Sequence, residues 1–266
     1  MTVFCFQVPS TENEWCQVAD EFERHWNFPN CLGALDGKHI AIMAPCNSGS
    51  LYYNYKNFFS VVLLALVDAR YRFLYVDVGS YGRVSDGGVF NGSSLAQALA
   101  QNSLHIPPSR CLPNSDTRVP FVVVADDAFA SKPHLLKPYS MRNCTEEQRV
   151  FNYRLSRARR VVENAFGILS QRFLVFKKPL GLNPEKVQVV VMAACCLHNF
   201  LLSSVHSGAA YAAVESPEHV TDNCMQPLCS QGSNHSSSDA MTVRNSFCSY
   251  FNSENGKLSW QQRASR

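Results

Sequence analysis

The chain has no Cys-x-x-Cys pair, no Gly-rich phosphate loop, no Gly-x-Ser-x-Gly and no His-Glu-x-x-His. The last three absences leave nucleotide hydrolysis, a serine hydrolase and a zinc protease without support. Eleven cysteines are present, but their odd count and irregular spacing argue against a disulfide framework or a zinc site and leave reduced thiols. Cys195 and Cys196 fall within the apolar run from Val189 to Leu197, where cysteine acts as a small hydrophobe. No basic patch followed by an apolar stretch opens the chain, so no signal peptide is expected. Nor does any run reach the ~18 apolar residues of a membrane span. The expectation is a reducing, membrane-free compartment, nucleus or cytosol.

What is present suffices for a folded domain. The 266 residues are 46% apolar, enough for one sizeable core with length left for tails. Thr11 and Glu14 form a capping box, and Trp15, Val18, Phe22 and Trp26 recur at helical spacing, which predicts an amphipathic helix over 12–26 that Pro29 stops. Gly33 to Met43 reads as a strand. Asn57 to Val67 and Arg72 to Gly79, joined by Asp68-Ala-Arg-Tyr, read as a hairpin, giving three consecutive antiparallel strands. The glycine-rich 82–91 reads as loop, 93–101 as a short helix and 102–119 as a proline-punctuated loop. Phe121 to Ala125, bounded by Pro120 and Asp126, suits a strand buried on both faces. Apolar residues every three or four positions from Glu146 to Phe173 mark a long helix, and 184–203 a last apolar one. Beyond Ser203, Ser, Gly, Asn and Gln dominate, so 204–239 reads as disordered and 240–266 as at most a loosely docked helix. The expected division is a lead-in helix over 1–26, a main domain over 27–203 and a tail over 204–266.

Three acids stand in different local frames. Asp36 lies in Gly33-Ala-Leu-Asp-Gly-Lys-His-Ile on the first strand, Asp126 at the carboxyl end of the central strand, and Glu163 on the long helix. Glu163 projects about 105° from the centre of the apolar stripe, at the border of core and solvent. Carboxylates brought together from strands and a helix serve mainly to hold divalent cations, which take oxygen ligands, and paired cations suit phosphodiester chemistry. The layout is that of a ribonuclease H-like α/β fold: a mixed sheet, three antiparallel strands then parallel ones, flanked by helices. Each acid also has a blander reading. Asp36 before Gly37 could serve a turn, Asp126 could cap a helix near Ala128, and Glu163 could form surface pairs with Arg159 or Arg160 worth ~0.2 to 0.5 kcal/mol. Asp127 competes with Asp126 as a ligand, while Asp68 and Asp77 read as turn and strand-edge residues.

The residues around the acids resemble one family. The stretches are Trp26-Asn-Phe-Pro-Asn-Cys-Leu-Gly-Ala-Leu-Asp-Gly-Lys-His-Ile, Tyr81-Gly-Arg-Val-Ser-Asp-Gly-Gly-Val-Phe, Val124-Ala-Asp-Asp-Ala-Phe, Arg157-Ala-Arg-Arg-Val-Val-Glu-Asn-Ala-Phe-Gly-Ile-Leu and Cys196-Leu-His-Asn-Phe-Leu. Together they are similar to the Harbinger (PIF-type) transposases and the nucleases derived from them, over about residues 11 to 203. The resemblance implies a DDE catalytic domain with Asp36, Asp126 and Glu163 as its triad and Asp86 as a fourth metal-associated acid. It further implies two Mg²⁺ or Mn²⁺ ions about 3.5 to 4 Å apart, serving in-line attack on phosphorus. At the second acid the family pattern has glycine before the ligand, where this chain has Ala125. Family members also carry a helical DNA-binding region upstream, which is not seen before the 12–26 helix. Either the copy is truncated, or DNA targeting comes from a partner, as a Myb-like protein supplies it in the transposon systems.

Net charge is only +3, yet between Lys132 and Lys178 eleven basic residues face three acidic ones. Such an excess suits a polyanion or simply a solvated basic face. Arg154, Arg157 and Arg160 are the candidates to hold a DNA backbone, with Lys38 beside the first acid and His39 next to it as candidate phosphate contacts. His198, among apolar neighbours, reads as a hydrogen-bonded core histidine. The function expected is therefore a metal-dependent DNA endonuclease. The alternative is a catalytically silent, domesticated transposase that binds DNA or a partner through the same fold.

Overall fold

The computed structural model describes residues 6–130, 132–204, 212, 224–227 and 237–261, with the backbone alone at Asp86. α1 (Glu12–Trp26) starts at the predicted capping box, Glu14 N–H donating to Thr11 while the Glu14 carboxylate accepts from Thr11 N–H. Asn27, left-handed at φ 57°, ends it. β1 (Cys31–Ala41) pairs antiparallel with β2 (Ser60–Val67), and β2 pairs antiparallel with β3 (Phe73–Tyr81). Every residue of β2 is buried, which is why it is an unbroken apolar run from Val61 to Val67. On its other edge β1 runs parallel to β6 (Val122–Val124), which runs parallel to β7 (Leu135–Leu136). The order is thus β3-β2-β1-β6-β7, the mixed sheet of a ribonuclease H-like fold. β4 (Arg110–Cys111) and β5 (Arg118–Val119) form a separate small ribbon.

Helices cover both faces. On one, α4 (Glu146–Arg172), α5 (Pro184–Ser203) and α6 (Ser238–Asn252) bury Leu155, Val162, Val187, Val191, Phe247 and Phe251 with Ala34, Ile40, Leu63 and Val124 of the sheet. On the other, Trp15 and Ala19 of α1 join α2 (Asp86–Gly92) and α3 (Ser94–Ala100) over Leu35, Leu64 and Val123. The nine described cysteines are free thiols.

Three expectations change. Residues 86–92 form a helix where glycines predict a loop: Ser85 is extended at the N-cap, and burial of Val89 and Phe90 outweighs the entropic cost of Gly87 and Gly88. The C-terminal segment is not a loosely docked tail. Phe247 and Phe251 of α6 pack on Phe28 at centroid distances of 5.6 and 5.1 Å, and Met225–Pro227 (β8) pairs antiparallel with Lys38–Ile40 of β1. Residues 205–211, 213–223, 228–236 and 262–266, the rest of the expected tail, lie outside the described residues. Finally, α5 is by length and composition apolar enough to cross a membrane, which a search for unbroken apolar residues does not bring out. In this fold it packs on β3 and fastens the β2–β3 hairpin. His198 Nε2 donates to Tyr71 O at 2.8 Å, and Asn199 accepts from Phe73 N and donates to Phe73 O, both at 2.8 Å. His198 is fully buried, and burial holds its pKa down to about 4, as befits a core histidine.

Candidate metal centre

Strand alternation decides where the first acid points. Ala34 and Ile40 of β1 belong to the core beneath α4, Leu35 to the opposite core, so Asp36 and Lys38 face α4 while His39 faces away. A bulge between Cys31 and Gly33 sets this phase, and a Cβ at Gly33 would come within 2.6 Å of the Leu66 side chain. Asp36 is 5% exposed, and its Oδ2 lies 3.7 Å from Lys38 Nζ, which sits over the Phe166 ring of α4.

β6 follows the same logic. Val122 and Val124 face α4 and Val123 faces away, so Asp126, two residues beyond Val124, comes out on the α4 side. Its Oδ1 accepts from Ala128 N at 2.9 Å, a local turn that leaves Oδ2 for other partners. Asp127 is exposed and pairs with Lys137 at 3.5 Å. Glu163 completes the neighbourhood from α4, its Oε1 2.5 Å from Nη1 of Arg159 one turn earlier.

The three acids share one electrostatic neighbourhood. Burial, opposed by Lys38 and reinforced by Asp126, pushes Asp36 up to about 6. Burial likewise raises Asp126, against its bond from Ala128 and the charge of Arg159, with Asp127 and Glu163 adding repulsion. These are carboxylates short of positive charge. The donor set fits a hard divalent cation, being all oxygen with no sulfur or imidazole. Among the described residues, however, no three Asp, Glu, His or Cys side chains stand close enough to grip an ion as they are. Asp86 is the first residue of α2, and its side chain lies outside the described residues.

The basic candidates divide. Arg154 is not a phosphate contact: it is 2% exposed, donates to Gly256 O at 3.2 Å, Gln261 Oε1 at 2.9 Å and Asn27 O, and lies 4.2 Å from the Phe251 ring centroid. Helical phase explains it, since at about 100° per residue Arg154 projects about 180° from Glu163. A cleft of about 510 Å³ lies on that side, lined by Asp20, Glu23, Arg154, Tyr250 and Lys257, and includes none of the three acids. Arg157 is half-buried on the Trp260 ring at 4.3 Å, which occupies its cationic face. Arg160 is exposed. His39 is no phosphate contact either: it is buried, bonded through Nδ1 to Ser60 Oγ at 2.9 Å, with burial holding its pKa down to about 4. Arg159 was legible only as a local partner of Glu163; its place among all three acids needs the fold.

A family model described as DDE superfamily endonuclease matches residues 35–199, a span that includes all four candidate acids. "Protein ALP1-like" of Arabidopsis thaliana is 26% identical over 189 residues, 70% of this chain and 46% of that protein. "Putative nuclease HARBI1" of Rattus norvegicus is 28% identical over 226 residues, 83% of this chain and 60% of that protein, and its Homo sapiens counterpart is 27% identical over 197 residues, 73% and 52%. The chain thus spans about half the length of these curated relatives. No solved structure matches it.

Proposed function

Because the chain belongs to the DDE superfamily endonucleases, in their Harbinger transposase-derived form, we propose that it is a metal-dependent DNA endonuclease with Asp36, Asp126 and Glu163, and Asp86 as a fourth acid, holding Mg²⁺ or Mn²⁺. The observation that carries the reading is the pair Asp36 and Asp126: one carboxylate on β1 and one just beyond the end of the adjacent parallel β6, both raised in pKa, both on the side of the helix that bears Glu163. Two unit charges about 5 Å apart repel by roughly 3 kcal/mol at an effective dielectric near 20, a cost that a bound cation offsets. When bound, such ions supply Lewis acidity at the attacking and leaving oxygens of an in-line displacement.

The chain's own residues do the rest. Lys38, held over Phe166 beside Asp36, offers a donor to a phosphate oxygen at the same edge. Arg160 and the exposed Arg172, Lys177 and Lys178 beyond it offer phosphate contacts that give affinity without reading sequence. DNA as substrate suits a nuclear protein, with a Myb-like DNA-binding partner supplying the target. The Glu163–Arg159 pair favours a second reading, a catalytically silent protein that binds DNA or a partner. Plasmid nicking separates the two: with Mg²⁺ or Mn²⁺ the wild type is expected to relax supercoiled DNA and Asp126→Asn is not. Equal nicking by both proteins rejects this assignment of the site, and none by either favours the silent reading.

A further inference from the structure

Arg159 stands on α4 one turn before Glu163 and near the two strand acids. Its side chain is 22% exposed, pairs with Glu163 Oε1 at 2.5 Å, and projects only about 40° from Glu163 around the helix. Both Asp36 and Asp126 feel its charge. On the sheet side, Lys38 Nζ ties Asp36 to the Phe166 ring, one turn beyond Glu163 on α4, so that helix face and the strand acids meet at one place. Glu163 is engaged along its own helix by its ion pair with Arg159.

We propose that Arg159 is a built-in competitor for the divalent cation, its guanidinium and the metal claiming the same carboxylates, so that Glu163 turns to the metal only after leaving Arg159. The inference rests on the metal-dependent reading of the site. Its chemistry follows from the groups. A guanidinium carries one positive charge on a rigid, delocalised fork and cannot replace an ion that draws several oxygens inward. A partly exposed i,i+4 pair with the cation first is also weak, so a divalent ion displaces it readily. The arrangement keeps clustered carboxylates partly neutralised at all times and sets the concentration at which the ion enters. Arg159 is on this account a positioning residue acting through Glu163.

The test is calorimetric titration of the full chain with Mn²⁺. Removing the resident charge is expected to tighten Mn²⁺ binding roughly two- to five-fold in Arg159→Gln, whereas Arg159→Lys, which keeps a competing charge, stays near the wild type. Arg159→Met replaces Arg159→Gln should the latter fail to fold. Asp126→Asn serves as the control for the site. If Asp126→Asn abolishes binding but loss of the Arg159 charge leaves Mn²⁺ affinity unchanged or weaker, the competition is overturned and the metal site stands. If Asp126→Asn and the wild type bind Mn²⁺ equally, or neither the wild type nor Arg159→Gln binds it, the metal reading falls and this inference with it. Binding by Arg159→Gln alone supports the competition in its strongest form.

Discussion

Arg154 and Arg159 lie five residues apart on one helix and live in opposite circumstances. Arg154 is buried, accepted by three oxygens of α1's end and the C-terminal segment, and stacked on Phe251. Arg159 reaches a single carboxylate in a group of acids that remains short of positive charge. The first is held by three oxygen acceptors and an aromatic ring, which offset much of the cost of burying its charge, although its Nε has no hydrogen-bond partner among the described residues. The second stands near Asp36 and Asp126, whose charged forms are disfavoured chiefly by burial. One helix thus presents a buried, packed cation on one side and a partly exposed, ion-paired one on the other.

The contrast can be broken at either end. The largest effect is expected for Arg154→Ala, which strands three buried acceptors and removes the stacking on Phe251. It should destabilise the fold by ~3–5 kcal/mol in urea denaturation. A loss below about 1 kcal/mol would mean the C-terminal segment contributes little.

Next, Asp36→Asn should act in the opposite direction. The native pKa of Asp36, about 6, lies above that of an unfolded aspartate near ~3.9, so the native state binds this proton more tightly. The group's contribution is therefore most favourable below about pH 4, is lost between about 4 and 6, and stays unfavourable above. With chelator present at pH 7.5, the variant should be more stable than the wild type by ~3 kcal/mol, the gap closing as pH falls to about 4. A wild type more stable than Asp36→Asn at pH 7.5 would show that Lys38 and Arg159 already compensate the carboxylate.

Arg160→Ala should change stability least, within ~0.5 kcal/mol, because the side chain is exposed. If it holds a phosphate, DNA affinity falls and the logarithmic salt dependence becomes shallower by ~0.9. An unchanged slope would remove Arg160 from the DNA surface.

Much of the fold was legible because its elements are long and periodic. The α1 capping box, the unbroken apolar β2 and the 3.6-residue repeat of α4 each carry a local signal that packing reinforces. The misses share one cause: an average hid a phase. Composition over 204–266 is polar, yet Phe247 and Phe251, four residues apart, put two aromatic rings on one helical face. Glycine content over 82–91 masked Val89 and Phe90. The basic run around α4 was read as one surface, though nine residues of helix carry Arg154 half a circle from Glu163. At the site, alternation along β1 and β6 puts Asp36 and Asp126 on the α4 side, whereas the place of Arg159 among the acids depends on how α4 docks, which no local pattern contains.

The late strand β8 also has a bearing on how a nascent chain becomes a protein. Beyond Ala34, the edge of β1 that β6 does not reach is paired by residues 225–227, with Ala41 N–H donating to Cys224 O at 2.8 Å. A ribosome adding about 5–20 residues per second needs on the order of ten seconds to pass from the β2–β3 hairpin to that segment. Throughout this interval the Lys38–Ala41 edge of β1 lacks the partner it has in the finished fold, and an unpaired strand edge is a template to which other unfinished chains adhere. Shielding of that edge during translation is expected to raise the yield of folded chain.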